Sequence, residues 1–204
     1  MPGYDCLGGD DAGRFVVATA PPSATWGPFS FGQCYRMNMN VGTLISVEQY
    51  LNTSYDPDVE YVDGVLVERN VGDWLHSLIQ RNLIVALSVK YPSVYAVPEF
   101  RSKTTATRYR LPDVCVLLAA PATSYLVDAA FLAIEILSKD DGMPDVLEKL
   151  EEYEQKGVLN IWLIDPRRQN MYVYLDGGLS VVRGDAIFTA DHTIELHRSE
   201  IFKS

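Results

Sequence analysis

The chain has few cysteines, no long apolar run and little positive charge. Its three cysteines, Cys6, Cys34 and Cys115, include no close pair, which argues against a disulfide framework and against a cysteine-based zinc site. No run approaches the ~18 apolar residues that cross a bilayer. The apolar patch at residues 15–18 is shorter than the ~7–15 residues of a signal-peptide core. We therefore expect a cytoplasmic protein that does not bind membranes.

The shortage of positive charge also bears on the class of partner. The 17 Lys and Arg residues against 27 Asp and Glu residues give a formal net charge of −10. This counts against nucleic-acid binding, because neutralising phosphates requires clustered basic side chains. One basic stretch is an exception, and it lies just before Asp113: Arg101, Lys103, Arg108 and Arg110. It is interpreted either as a solvated hairpin or loop, or as a surface that steers phosphates.

The sequence contains enough apolar material for one domain with a real core. It has 204 residues, of which 48% are hydrophobic. Residues 1–36 are rich in Gly, Pro, Ala and Ser and lack periodicity, which predicts a flexible N-terminal extension. A natural translation start at Met37 or Met39 would make this extension non-native. Residues 37–204 are predicted to form the folded domain.

Helix and strand signals alternate along this domain. They comprise helix N-caps at Ser46 and Asp73, turns at 63–64 and 176–178, and a Pro144 and Gly157 pair that suits the two ends of a helix. The predicted elements are a helix at 46–51, a hairpin at 60–69, a helix at 73–90, a strand at 94–97, strands around Asp113 and Glu135, a helix at 144–157, a strand at 160–164, a hairpin at 171–182, and one or two short strands within 187–202. This order predicts an α/β fold with a mixed central sheet flanked by helices.

Two carboxylates are set into short apolar segments. Asp113 lies within residues 110–118 and Glu135 within residues 131–137, and both segments are typical of buried strands. An ionised carboxylate alone in such a strand costs several kcal/mol unless something pairs with it. Two of them on consecutive strands suggest one shared cation. A separate cationic side chain on each carboxylate would argue against that interpretation.

Strand alternation defines a set of ligands for such a cation. Glu135 should share a face with Ala133 and Leu137, whereas the side chain of Ile136 points the other way. The carboxylates of Asp113 and Glu135, together with the backbone carbonyl of Ile136, then form an all-oxygen set. Mg²⁺ and Mn²⁺ prefer such ligands. The pattern indicates metal-dependent phosphodiester chemistry.

Lys149 follows on the next helix, at the border of the apolar stripe formed by Val146, Leu147, Leu150 and Tyr153. Its stem can cross apolar surface while the ammonium reaches a polar site, where it could hold a water or stabilise charge. The alternative is a flanking lysine paired with Asp145 or Glu152. The opposite face of the helix carries Glu148, Glu151, Glu152 and Gln155.

Three further residues are candidates with simpler alternatives. Glu60 begins a hairpin strand and is either a third acid or a surface residue. His76 lies beside the apolar stripe of its helix, where a lone histidine is more often structural. Glu99 is ambiguous.

In order along the chain, five segments resemble the Uma-two family of proteins described as endonucleases, within the PD-(D/E)xK nuclease superfamily. The segments are 60–66 (EYVDGVL), 110–114 (RLPDV), 135–138 (EILS), 149–153 (KLEEY) and 157–166 (GVLNIWLIDP). The resemblance implies a restriction-endonuclease-like fold that uses Mg²⁺ or Mn²⁺. One departure is that Leu137 stands where the superfamily motif has a lysine, and the family pattern then points to Lys149. By the same resemblance Glu60 becomes a candidate active-site acid and His76 a minor one.

The leading hypothesis is a Mg²⁺-dependent endonuclease that hydrolyses DNA, using Asp113, Glu135, Lys149 and Glu60. A homodimer is a further hypothesis, since cutting both strands usually needs two active sites. The first alternative is a catalytically inactive nucleic-acid or protein-interaction module that retains the fold, and Leu137 together with the acidic charge favours it. A hydrolase acting on another phosphate ester is the second.

Overall fold

The computed structural model describes residues 44–70 and 72–204. The predicted extension at 1–36 and the two methionines proposed as start sites lie outside these residues. Within the described part of the chain, none of the helices has the length and apolar character needed to cross a membrane.

Twelve strands and four helices follow one another along the described residues. Their order is α1 Val47–Leu51, β1 Glu60–Val62, β2 Val65–Val67, α2 Trp74–Lys90, β3 Tyr95–Pro98, β4 Ser102–Lys103, β5 Arg108–Arg110, β6 Val114–Leu117, β7 Leu132–Ile136, α3 Met143–Lys156, β8 Asn160–Asp165, β9 Asn170–Leu175, β10 Gly178–Val181, β11 Ala186–Phe188, β12 Glu195–His197 and α4 Arg198–Ile201.

A mixed six-stranded sheet forms the centre, in the order β10-β9-β8-β7-β6-β3. The β7–β8 pair is parallel because α3 connects the two strands as a crossover, and the other neighbours in this sheet are antiparallel. A four-stranded antiparallel sheet, β2-β1-β5-β4, and the two-stranded pair β11-β12 complete the described strands.

Local sequence signals determine most of the element ends. The side chains of Ser46 and Asp73 accept hydrogen bonds from backbone amides of the first turns of α1 and α2, at 3.1 and 3.0 Å. Gly157 ends α3 with φ 99°, in the left-handed region that favours glycine. Asp63 and Gly64 both have positive φ, as the two-residue β1–β2 turn requires. The predictions at these positions are confirmed.

The two faces of the central sheet pack into separate apolar clusters. One cluster joins α2, through Ile79, Leu83 and Leu87, to residues such as Ile136 and Trp162. The other joins α3 to the opposite face, where Ala133 is buried and Leu137 packs against it. The predicted alternation along β7 is therefore confirmed. The short C-terminal helix α4 was not predicted.

Candidate active site

Strand register brings the two acids together. The β6–β7 ladder pairs Val114 with Ile134 and Cys115 with Ala133, so Asp113, one residue before β6, lies opposite Glu135. Residues directly opposite each other in an antiparallel pair project to the same face. Cys115 and Ala133 belong to the cluster under α3, which places both carboxylates on that face. Both are buried, with exposed fractions of 3% and 7%.

Helix α3 adds Lys149 to this face. Val146, Leu150 and Tyr153 anchor the helix in the cluster beneath it. The Lys149 ammonium lies 2.9 Å from Oε1 of Glu60, which is not among the partners that the sequence suggested. Burial lowers the pKa of Lys149, but the charges of Glu135 and Glu60 outweigh burial and raise it above its ordinary value. The amine is therefore held as an ammonium between two glutamates.

Glu60 is a buried member of the site. The sequence favoured a surface position, but the residue is only 1% exposed. Besides Lys149, its carboxylate accepts hydrogen bonds from Arg110 at 2.9 Å and from the backbone amide of Leu111 at 3.3 Å. The antiparallel pairing of β1 with β5 positions these groups. Glu60 thus fixes the lysine and is itself fixed by the neighbouring strand.

These side chains face one cavity of about 460 Å³. Its walls come from the β1–β2 hairpin and the residues after it, the ends of β5 and β7, the residue before β6, the first turn of α2, the segment leading into α3, and the first half of α3. The polar and charged side chains on these walls are Glu60, Glu68, Arg69, Asn70, His76, Arg110, Asp113, Glu135, Ser138, Asp140, Asp141, Asp145, Glu148 and Lys149. The four predicted catalytic residues all line this cavity.

Asp113 is surrounded by donors. Its Oδ2 accepts a 2.7 Å hydrogen bond from the amide of Ile136 and lies 3.2 Å from Nε2 of His76. Its Oδ1 is bound by the guanidinium of Arg69. Burial raises the pKa of Asp113, but the hydrogen bond of His76 and the charge of Arg69 more than offset it and lower the pKa below its ordinary value. Asp113 is therefore a carboxylate that already has a cationic partner.

The pKa of Glu135 is shifted in the opposite direction, above its ordinary value. Burial, the largest cause, raises its pKa to about 7 against the pull of Lys149, and the charges of Asp113 and Glu60 add to the rise. The hydroxyl of Tyr153 donates to Oε1 at 2.6 Å. Among the described residues, no side chain or amide donates to Oε2. Opposed pKa shifts in two adjacent acids are typical of functional sites.

His76 and Glu99 lie at one side of the same site. Gly72 leaves room for the imidazole of His76, because a Cβ there would lie 2.7 Å from its Nδ1. Burial lowers the pKa of His76, but the hydrogen bond and charge of Asp113 outweigh it and raise the pKa. Glu99 receives Arg69 at 3.0 Å and is half-exposed. His76 therefore contacts Asp113 directly, and Glu99 contacts it through Arg69.

Acidic partners engage three of the four basic residues that were predicted to steer phosphates. Arg101 forms an ion pair with Asp58, Arg108 with Asp63, Glu148 and Glu152, and Arg110 with Glu60 and Glu152. Arg110 is also buried, at 4% exposed. Lys103 is half-buried. The four side chains thus form no common cationic surface.

Sequence reasoning missed three residues of the site. Glu152, which the sequence placed on the face opposite the apolar stripe, is 6% exposed and accepts two hydrogen bonds from Arg110 at 2.6 and 2.9 Å. Tyr153 was read only as part of the apolar stripe. Arg69 was not singled out at all. The partners of Arg69 and Glu152 are distant in sequence, so no local signal could have identified their contacts.

The donor set fits a hard divalent cation. No group of three or more His, Cys, Asp or Glu is assembled as a metal cluster among the described residues. The predicted set is smaller, with two opposed carboxylates beside the Ile136 backbone on one cavity wall. The charge of Asp113 raises the pKa of Glu135, and a cation between the two would relieve that repulsion. Oxygen donors of this kind suit Mg²⁺ or Mn²⁺.

Comparisons with solved structures support the fold. A crystal structure described as "a putative nuclease belonging to DUF820" from Anabaena variabilis matches with a TM-score of 0.67 and 22% identity, covering 78% of this chain and 97% of that one. This likeness confirms the α/β, restriction-endonuclease-like fold class. A cryo-EM structure of a DrdV–DNA complex matches with a TM-score of 0.33 and 17% identity, over 53% of this chain and 12% of that one. That similarity is too low to bear on the site.

Comparison with protein families gives the identity of the chain. No curated protein matches it. The family model described as "Uma2: Putative restriction endonuclease" matches residues 47–198, which include the hairpin, both acids and α3. The predicted resemblance is confirmed, and the match supports a nuclease function. The chain belongs to the Uma2 family of restriction-endonuclease-type proteins.

Proposed function

We propose that the protein is a divalent-metal-dependent endonuclease that hydrolyses phosphodiester bonds of DNA, with Mg²⁺ or Mn²⁺ as its cofactor. One observation carries the proposal: opposed carboxylates from two neighbouring strands and a buried ammonium from the next helix line a single cavity. Membership of the Uma2 family gives this arrangement a nuclease context.

The residues divide into those that hold the metal and those that act beside it. Asp113 and Glu135 would hold the ion, together with the backbone carbonyl of Ile136. When bound, the ion supplies an activated water and stabilises charge on the scissile phosphate. The Tyr153 hydroxyl orients Glu135 through Oε1, so that Oε2 would be available to the ion. A hydrogen bond to one oxygen of a ligating carboxylate fixes the orientation of the other.

Lys149 supplies a positive charge beside the proposed metal site. Its ammonium is fixed by Glu60 at 2.9 Å and is attracted by Glu135. In that position it can orient the attacking water and stabilise the negative charge that develops on the phosphate. Its raised pKa keeps it charged, so it acts as a donor and not as a general base. Lys149 would thus take the part of the motif lysine, whose position is occupied here by Leu137.

Isosteric variants test the two metal ligands. Asp113→Asn and Glu135→Gln should each abolish Mg²⁺-dependent cleavage of plasmid DNA while circular dichroism shows an unchanged fold. Glu151→Gln, on the exposed face of α3, is the matched control and should cleave like the wild type. Full cleavage by either active-site variant would reject the assignment.

The rival function is a catalytically inactive binding module, and one observation favours it. Arg69 neutralises Asp113, which is half of the arrangement that would argue against a shared cation, namely a separate cationic partner on each acid; Lys149 pairs directly with Glu60 and not with Glu135. Calorimetric titration with Mg²⁺ separates the two functions. No binding at millimolar metal would favour the module, whereas cleavage of small phosphodiesters without DNA cleavage would indicate a different phosphate ester.

A homodimer remains a proposal and is tested by light scattering coupled to gel filtration. A mass near twice the 22.8 kDa of one chain would support it.

A further inference from the structure

Arg69 differs from the other cations on the cavity wall. Arg110 is bound to the buried carboxylates of Glu60 and Glu152, and Lys149 is bound to Glu60. Neither of these partners is a proposed metal ligand. Arg69, by contrast, donates to Asp113, and its second partner is the half-exposed Glu99. It is therefore the cavity arginine whose main partner a metal ion would take.

The contacts of Asp113 define where this competition occurs. Oδ2 is occupied by the amide of Ile136 and faces His76, and the amide belongs to the rigid backbone of β7. Oδ1 is held by Arg69 alone among the described residues. A metal ion bound by Asp113 would therefore approach Oδ1, where its charge repels the guanidinium of Arg69, and a side chain is easier to displace than a strand amide.

The segment that carries Arg69 allows such a displacement. Arg69 lies between the end of β2 at Val67 and the N-cap of α2 at Asp73, and it is in neither strand nor helix. Its side chain is 16% exposed at the cavity wall. The guanidinium can thus leave Asp113 without disturbing a sheet or a helix.

We propose that Arg69 occupies the metal-binding oxygen of Asp113 in the metal-free protein, and that it turns to a phosphate of the substrate once the metal takes its place. The planar guanidinium matches phosphate geometry with paired donors. Its loss of Asp113 coincides with the arrival of the ion, so the cationic side chain becomes available when the phosphate binds. The inference rests on the proposed function, since it assumes a metal at Asp113.

Metal affinity is the first readout. Mg²⁺ is titrated by calorimetry into the wild type, Arg69→Gln and Arg69→Lys. Removing the competitor should tighten binding to Arg69→Gln about tenfold, equivalent to about 1.4 kcal/mol, and Arg69→Lys should fall between the two. The control is Lys139→Gln, which removes a charge from a side chain that is 60% exposed beside Asp140. This control should change the affinity less than about twofold, within the range expected for exposed ion pairs.

Substrate binding is the second readout. In Ca²⁺, anisotropy of a labelled DNA duplex should show about tenfold weaker binding by Arg69→Gln, although its metal binding is tighter. Because the loss of a positive charge alone would also favour a cation and disfavour DNA, Arg69→Lys, which keeps the charge but lacks the paired donors, should likewise bind DNA more weakly than the wild type. Thermal melting provides a check on folding: the variant should melt lower without metal and gain more than the wild type when metal is added.

The outcomes separate the two proposals. If the wild type binds Mg²⁺ and Arg69→Gln binds it equally well, the inference is overturned and the metal site stands. If neither protein binds Mg²⁺, the proposed function fails and the inference fails with it. Unchanged DNA affinity in Arg69→Gln overturns the phosphate role. If Arg69→Gln does not fold, the comparison is made with Arg69→Lys.

Discussion

Glu135 should progressively destabilise the metal-free protein as the pH rises from 4.5 to about 7. Burial raises its pKa from 4.5 to about 7 despite the attraction of Lys149, and the charges of Asp113 and Glu60 add to the rise. The folded protein therefore keeps a proton that the unfolded chain releases at a lower pH. Where the folded state binds more protons, the free energy of unfolding falls as the pH rises. The window for this loss runs from pH 4.5 to about 7.

The structure sets the size of the effect. A pKa difference between 4.5 and about 7 corresponds to about 3 kcal/mol, at about 1.4 kcal/mol per pH unit. Glu135→Gln removes the charge and keeps an oxygen that can accept the Tyr153 hydroxyl. We expect this variant to match the wild type near pH 4.5 and to exceed its free energy of unfolding by about 3 kcal/mol at pH 8.

Urea unfolding followed by circular dichroism, in EDTA at several pH values, measures this difference. The exposed control Glu151→Gln should stay within about 0.5 kcal/mol of the wild type throughout. Adding Mg²⁺ should reduce the difference, because a ligand stabilises only the protein that binds it. A difference between Glu135→Gln and the wild type that does not change with pH would refute the reasoning.

Three further substitutions have defined outcomes. Arg110→Met removes a guanidinium shared by the buried carboxylates of Glu60 and Glu152 and leaves each with one cationic partner, Lys149 and Arg108 respectively, so urea unfolding should show a loss of about 3 kcal/mol, the lower end for breaking a buried ion pair. If Arg110 instead steers phosphates, stability would hold and DNA affinity alone would fall. Tyr153→Phe removes the only described donor to Glu135. We expect the variant to be about 1–2 kcal/mol less stable and to bind Mg²⁺ more weakly in calorimetry. Unchanged metal affinity would contradict the orienting role of Tyr153. Trp162→Ala leaves a cavity at a fully buried position in the central sheet. The free energy of unfolding, measured by heat or urea, should fall by about 3–5 kcal/mol. A smaller loss would contradict the close packing around Trp162.

Much of the fold could be predicted because its signals are local. The caps at Ser46 and Asp73, the Asp63-Gly64 turn and the Gly157 stop act through residues within a few positions. Strand alternation likewise predicted which face of β7 carries Glu135. The four-residue helix α4 was missed because so short an element depends on packing, as shown by the fully buried Ile201.

The sequence by itself determined the order of the longer helices and most strands, the family resemblance, and two acids in apolar strands followed by a lysine. Only the tertiary structure decided which cation each acid meets. Asp113 meets Arg69 from 44 positions away and Glu152 meets Arg110 from 42, while Glu60 is buried beneath Lys149. The physical reason is that caps and turns act between neighbours in the chain, whereas burial and ion pairing depend on strand register and helix packing, which bring distant side chains together.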